Sequence, residues 1–159
     1  IKPRVAIEKF YGNDVVFADG ECDSVDEIIL ATGYTASIPY LPQGIFDYDG
    51  GNRPRLWMRL VHPANNGLYG LGFIETNSSV YRLFDLGAEL ISNHIKAKSA
   101  NPVARAKLDK AIAQWVEPDL SNGLTRVASS RHVGYVDSRA YEAALKAMIA
   151  EHFSEIEAA

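Results

Sequence analysis

Two short stretches carry residue types that can hold a polar or anionic ligand. The first is "ATGY", residues 31–34, which ends an apolar run that begins at Ile28. The second is "GFIETNSS", residues 72–79, which lies between another apolar run and a helical pattern. A ligand often lies beyond the end of a buried strand in α/β proteins, and a helix N-terminus carries about half a positive charge. These two stretches are therefore the first candidates for a binding site.

The composition excludes several classes of protein. The 159 residues are 47% hydrophobic and 23% charged, which is typical of a globular domain. A net charge of −4 argues against nucleic acid as a partner, because phosphate backbones attract clustered Lys and Arg. No run approaches the roughly 18 apolar residues that a membrane span requires. We therefore expect neither a nucleic acid nor a membrane as partner.

The single cysteine and the first residue suggest where the protein works and how it begins. Cys22 has no second cysteine with which to form an internal disulfide, which favours a reducing, cytoplasmic location. Its acidic neighbours disfavour a reactive thiolate. The chain starts at Ile1 and enters an extended pattern at once. That beginning is typical of a fragment of a longer protein.

The first half of the chain reads as strands and a crossing segment. Residues 3–10, 14–18 and 25–31 predict an antiparallel β-meander, with turn residues at Gly12 and at Asp19-Gly20. Residues 35–54 are interrupted by Pro and Gly and predict an irregular crossing between two structural units. Residues 55–61 and 68–74 predict a second strand pair around a turn that contains His62-Pro63.

The second half reads as helices. Apolar residues at steps of three and four predict a helix of about 20 residues; they are Val80, Leu83, Phe84, Leu86, Gly87, Leu90, Ile91 and Ile95. Asn77 and Ser78 are its candidate N-caps. A second helix is predicted to start at Pro102, with the apolar set Val103, Ala106, Leu108, Ile112 and Trp115. Asp137 is predicted to cap a last helix, with a hydrophobic staple between Val136 and Tyr141.

Four features in order resemble one family of enzymes. "DEIILATGY" resembles the ATG motif of flavoproteins with two dinucleotide-binding domains, in the form found in flavin-containing monooxygenases. "FADGECDSVDEIILATGY" resembles the hairpin that precedes this motif, and "LWMRLVHPANNGLYGLGFI" resembles the strand pair that returns to the first domain. The long helix follows. The resemblance covers residues 1–98 well and the C-terminal third loosely. No G-x-G-x-x-G phosphate loop occurs in the sequence.

The resemblance implies a fold and a domain organisation. The fold class is α/β, a partial Rossmann-like FAD/NAD(P)-binding flavoprotein fold with an antiparallel meander, a strand pair and C-terminal helices. Residues 1–34 would end the NADP-binding domain, and residues 35–54 would cross back. Residues 55–98 would complete the FAD-binding domain, and residues 99–159 would form a helical extension.

The resemblance also implies cofactors, partners and site residues. The intact enzyme would use FAD and NADPH, with O₂, to oxygenate a small-molecule substrate, while this chain alone would hold neither cofactor tightly. Its partner would be the N-terminal half of the same enzyme, and bare apolar faces predict self-association. The N-terminus of the long helix would face the pyrimidine side of the flavin. The implied cofactor-binding residues are Thr32, Gly33, Gly72, Glu75, Thr76, Asn77, Ser78 and Ser79.

Two questions stay open on the sequence. The absence of glycine-rich loops also fits a stand-alone, non-catalytic α+β module that binds a partner protein. No catalytic residue is assigned: His62 lacks an orienting acid nearby in sequence, and His94, His132 and His152 show no metal-ligand spacing. We expect a structural role for these histidines and no metal site.

Overall fold

The computed structural model describes residues 1–32, 38–48, 53–65, 67–100, 102–125, 132 and 134–153, without the side chains of residues 100 and 104. The chain divides into two compact units, Ile1–Tyr34 and Thr35–Ala159. In the described ranges the content is mixed α/β: a three-stranded antiparallel sheet, a two-stranded parallel sheet and three α-helices. None of the helices in these ranges is long and apolar enough to cross a membrane.

The first unit is an antiparallel meander, as predicted, but its third strand is Cys22–Ser24 and not residues 25–31. Strands β1 (Ile7–Tyr11), β2 (Asp14–Phe17) and β3 (Cys22–Ser24) pair in the order β1-β2-β3. The turns between them contain Gly12 at φ +60° and Gly20 at φ +84°, a left-handed conformation that glycine adopts without strain. Both predicted turns are therefore confirmed.

The prediction of a strand at residues 25–31 is wrong. β3 ends at Ser24, and residues 26–32 make no backbone hydrogen bond within the described part of the chain. Ile28, Ile29 and Leu30 are 49%, 88% and 79% exposed. An apolar run becomes a buried strand only where neighbouring strands and covering layers accept it, and the first unit supplies neither to these residues.

The second unit is built on three helices, α1 (Tyr81–Ala100), α2 (Pro102–Ala113) and α3 (Ser138–Phe153). α1 packs against both α2 and α3. The predicted length of about 20 residues for α1 and the start of α2 at Pro102 are confirmed. Three members of the predicted apolar sets of α1 and α2 are exposed: Ile95, Val103 and Ala106. Short parallel strands β4 (Glu75–Thr76) and β5 (Tyr135–Val136) join the chain before α1 to the chain before α3.

The predicted strand at residues 55–61 is instead a buried tight turn. Met58 and Arg59 have φ of +49° and +59°, and the amide of Leu60 donates to the carbonyl of Trp57 at 2.9 Å. The hydroxyl of Tyr141 donates to the Met58 carbonyl at 2.7 Å. Residues 57–61 are all buried. Their burial and the bond from Tyr141 offset an unfavourable backbone conformation that non-glycine residues adopt only when their surroundings hold them.

The predicted strand at residues 68–74 is reduced to one antiparallel bridge between Val61 and Tyr69. The amide of Gly70 donates to the Leu60 carbonyl at 2.8 Å. α1 approaches this segment closely, since a Cβ on Gly87 would lie 3.0 Å from Leu71 and 3.3 Å from Leu60. The turn, the bridge and the three helices thus share one core; its largest fully buried side chains include Trp57, Tyr141, Phe153, Met58, Leu90 and Leu145.

Candidate functional site

The loop at residues 75–79 leads from β4 into α1. Glu75 and Thr76 pair with Tyr135 and Val136 of β5, and α1 begins at Tyr81. Of the predicted site residues in this loop, Thr76 is half-buried, and Glu75, Asn77, Ser78 and Ser79 are exposed. Gly72, just before β4, is exposed and has φ +104°, a conformation that favours glycine. The structure therefore brings six of the eight predicted residues together.

The first turn of α1 leaves backbone donors unused. The amide of Phe84 donates to the Val80 carbonyl at 2.9 Å, which closes the first helical bond. The amides of Tyr81, Arg82 and Leu83 have no acceptor among the described residues, and the first turn carries no acidic side chain. Unused amides and the helix dipole favour negative charge at this point. The arrangement can therefore stabilise a partial negative charge on a ligand.

The prediction that Asn77 or Ser78 caps α1 is wrong. Asn77 Nδ2 donates to Asp137 Oδ2 at 2.7 Å, and Asn77 Oδ1 accepts from the Ser138 amide at 2.9 Å. Ser78 makes no hydrogen bond within the described part of the chain. The side chain of Asn77 serves the start of α3 because the β4–β5 pairing brings that helix end beside it.

The predicted cap of α3 is confirmed. Asp137 Oδ1 accepts from the amides of Arg139 and Ala140 at 3.1 and 3.0 Å. Hydrogen bonds lower the pKa of Asp137 from its ordinary value. The bond from the Ala140 amide has the largest effect, and the bond from Asn77 has the next largest. Val136 and Tyr141, the predicted staple, are both buried in the core.

Thr32 and Gly33, the other two predicted site residues, lie outside the segment of residues 72–79. Thr32 is exposed, belongs to the first unit and lies outside any strand. Gly33 lies outside the described residues. The role of the ATG stretch in binding stays a prediction.

Sequence reasoning missed a buried polar cluster in the second unit. His94 is completely buried, and its Nδ1 lies 3.0 Å from the Tyr69 hydroxyl. His94 Nε2 and Trp57 Nε1 have no hydrogen-bond partner among the described residues. Burial lowers the pKa of His94 to about 4, so the ring is neutral at pH 7. The signal that reveals this histidine is its spacing, because it falls four residues after Leu90 and three before Ala97 on the buried side of α1.

Sequence reasoning also missed a charged groove beside the turn at residues 57–61. Arg59 is 5% exposed, and its Nε donates to Glu117 Oε1 at 2.7 Å. Arg53 pairs with the same carboxylate at 3.1 Å. These groups and Tyr135 line a cavity of about 340 Å³. The ion pairs join residues 58 and 64 positions apart, which no local pattern reveals.

Curated proteins similar to this chain are monooxygenases and a related enzyme. A trimethylamine monooxygenase from Pelagibacter ubique is 28% identical over 113 residues, 69% of this chain and 25% of its own length. Indole-3-pyruvate monooxygenase YUCCA4 from Oryza sativa is 33% identical over 111 residues, 59% of this chain and 24% of its own length. A 4-hydroxybenzoate brominase from Marinomonas mediterranea is 46% identical over 39 residues, 24% of this chain and 8% of its own length.

The two monooxygenase matches cover more than half of this chain but a minor part of each relative. The chain spans about a quarter of the length of the monooxygenases it matches. No protein-family model and no solved structure matches it. The enzyme class that the motifs predicted is confirmed by these partial matches: the chain is similar to flavin-dependent monooxygenases and matches only a small part of each.

Proposed function

We propose that the chain is the C-terminal part of an FAD- and NADPH-dependent monooxygenase. The complete enzyme uses O₂ to oxygenate a small organic substrate, by N- or S-oxidation or by Baeyer–Villiger insertion. In this proposal residues 1–34 end the NADP-binding domain of a Rossmann-like fold, and residues 55–98 complete the FAD-binding domain. The relatives and the order of the four sequence features support it.

The observation that carries the proposal is the open N-terminus of α1. Three backbone amides there have no acceptor within the described ranges, and no acidic side chain lies in the first turn. These groups fit a flavin, whose pyrimidine side becomes negative when it is reduced. When bound, FAD supplies the electron transfer and the reaction with O₂. The amides of Tyr81, Arg82 and Leu83 stabilise the added charge through fixed dipoles, which need no rearrangement.

The exposed apolar residues of the first unit support the same assignment. Ile28, Ile29 and Leu30 form a run typical of a strand buried on both faces. Strands from the rest of an NADP-binding domain would cover them. Their exposure in this chain also favours the rival function, a protein-interaction module, for which they would be the docking surface.

The coding sequence upstream of Ile1 separates the two functions. We expect a reading frame that continues upstream and encodes a G-x-G-x-x-G phosphate loop. A start codon immediately before Ile1 would contradict the enzyme assignment and favour the interaction module.

Redox titration of the complete enzyme tests the flavin role directly. Ser79→Glu places a negative charge beside the open amides, which disfavours reduced flavin by on the order of 1–3 kcal/mol and lowers its midpoint potential by tens of millivolts. The matched control is Ser92→Glu, which adds the same charge to an exposed position of α1. That position lies about 20 Å farther along the helix, beyond the screening length of roughly 10 Å. An unchanged potential in Ser79→Glu would remove the flavin role.

A further inference from the structure

The amide of Asn77 joins two elements that are distant in sequence. Its Nδ2 donates to Asp137 Oδ2 at 2.7 Å, while its Oδ1 accepts from the Ser138 amide at 2.9 Å. Both contacts need a donor and an acceptor on one short side chain, a combination that asparagine provides and that Ala, Ser or Asp does not reproduce in the same geometry. The contact therefore depends on the identity of this residue.

The Asp137 carboxylate is held so that one oxygen is available to Asn77. Asp137 is buried, and its Oδ1 accepts from the first amides of α3. Oδ2 is left for Asn77. The carboxylate is ionised at neutral pH because the Ala140 amide and Asn77 lower its pKa. The bond from Asn77 is therefore charge-assisted, which makes it stronger than a bond between neutral groups.

Asn77 is the last residue before α1 that forms a hydrogen bond with an element other than α1, within the described part of the chain. The β4–β5 ladder holds Glu75 and Thr76, with Thr76 opposite the fully buried Val136. Ser78 and Ser79 make no hydrogen bond within the part of the chain that the structure describes. Asn77, together with the buried Leu83 in the first turn of α1, therefore fixes how the chain enters this helix. Because its amide is engaged at α3, it does not fill the open donors of α1.

We propose that Asn77 is a positioning residue for the flavin: by binding Asp137 and Ser138 it holds the loop of residues 75–79 against the start of α3, and so presents the open amides of α1 to the cofactor. The inference rests on the proposed function. It makes the segment before α3 a support of the cofactor loop, although residues 99–159 resemble the family only loosely.

Hydrogen exchange on the 159-residue chain tests the attachment without any cofactor. Asn77→Ala removes both contacts, and we expect the protection of the Glu75 amide, which donates to the Gly134 carbonyl, to fall about tenfold, the effect of one lost charge-assisted bond on local opening. The Ser138 amide loses its acceptor directly, whereas the amides of Arg139 and Ala140 keep their protection because the Asp137 cap remains. Unchanged protection at Glu75 would overturn the inference.

Asn122→Gly is the matched control. Asn122 Nδ2 donates to Asp137 Oδ1 at 3.3 Å, and the residue has φ +52°, which glycine tolerates. This variant removes a bond to the same carboxylate without touching the loop, so we expect the protection of the Glu75 amide to stay unchanged. A loss there equal to that of Asn77→Ala would show that any disturbance of Asp137 opens the loop, which would overturn a specific role for Asn77.

Asn77→Asp gives a signature that general destabilisation does not. The new carboxylate would face Asp137, so the loop opens at pH 7. The new carboxyl group takes up a proton first because Asp137 has a lowered pKa, and it then donates to Asp137. We expect the protection factor of the Glu75 amide to recover as the pH falls toward 5. A loss that does not depend on pH would contradict the inference.

The complete enzyme then connects the attachment to the flavin. In Asn77→Ala we expect the preference for reduced over oxidised FAD to fall about tenfold, which is about 30 mV in midpoint potential, with no change in Asn122→Gly. If Ser79→Glu shifts the potential and Asn77→Ala does not, the positioning role is overturned and the flavin role stands. If neither variant shifts it, the proposed function fails and the positioning role fails with it.

Discussion

The Tyr69 hydroxyl lies 3.0 Å from Nδ1 of His94, and the imidazole is completely buried. Burial and the positive charge of Lys98 lower the pKa of His94, and Asp109 opposes this effect only in part. The ring is therefore neutral in the folded protein at pH 7, and folding disfavours its protonation.

This relationship predicts a stability that falls in mild acid. The unfolded chain takes up a proton at His94 below roughly pH 6.5, and the folded chain does so only near its lowered pKa of about 4. Between these values the unfolded state binds more protons, so the free energy of unfolding decreases by roughly 3 kcal/mol as the pH falls from 6.5 to 4. Urea titrations across this range measure the slope.

His94→Gln is the control for that slope. Glutamine keeps a polar contact with Tyr69 and does not titrate. The carboxylates with lowered pKa values, such as Asp137, lose stability only below roughly pH 4. We therefore expect the variant to be nearly flat between pH 6.5 and 4. An equal slope in both proteins would assign the effect to another group.

The second prediction concerns the turn that replaces the expected strand. Tyr141→Phe leaves the buried Met58 carbonyl without its donor at 2.7 Å, and we expect a loss of about 1–3 kcal/mol in the free energy of unfolding. The matched control is Tyr81→Phe, at a residue that is 79% exposed, with a change of under about 0.5 kcal/mol. Equal effects in the two variants would show that the hydroxyl of Tyr141 does not hold the turn.

The third prediction concerns the buried arginine. Glu117→Ala leaves Arg59, 5% exposed, without its carboxylate at 2.7 Å. Because Glu117 itself is 31% exposed, we expect a loss of about 1–3 kcal/mol, less than for a fully buried pair. Asp47→Ala, which breaks the exposed pair with Arg55, should cost under about 1 kcal/mol. A cost for Glu117→Ala as small as that of the control would contradict this assignment.

The fourth prediction concerns association through the first unit. Ile29 is 88% exposed between two other exposed apolar residues, so we expect the 159-residue chain to associate as its concentration rises. Ile29→Lys should reduce this association. The control must add a lysine at a position outside the core, which excludes Ile91 because it packs against the core. A suitable control is Ser92→Lys, at an exposed position of α1. Light scattering that shows a monomer at all concentrations would contradict the prediction.

The fifth prediction concerns the cofactor. The sequence has no glycine-rich phosphate loop, so the open amides of α1 lack a partner site for the pyrophosphate of FAD. We expect the purified 159-residue chain to be colourless and to show no NADPH oxidation. A yellow preparation with stoichiometric FAD, measured by its visible absorbance, would contradict this expectation.

The sequence by itself predicted the elements whose stabilising contacts are local. The length of α1, the start of α2 at Pro102 and the Asp137 cap of α3 are as expected, because helical hydrogen bonds and caps join residues three or four positions apart. The turns at Gly12 and Gly20 follow from the backbone freedom of glycine. The motifs also indicated the class of enzyme to which the relatives belong.

Only the tertiary structure decided the contacts that join distant segments. The apolar run that contains Ile29 forms no strand because a strand needs partners that this unit does not supply, and the run beginning at Trp57 turns back because Tyr141 and the core hold it. Asn77 has the residue type of a helix cap, and its sequence position assigned it to α1. The β4–β5 pairing places it instead beside Asp137, 60 residues later. The residue type of Asn77 suits it to accept a hydrogen bond at a helix start. The packing of distant segments determines that this helix is α3 and not α1.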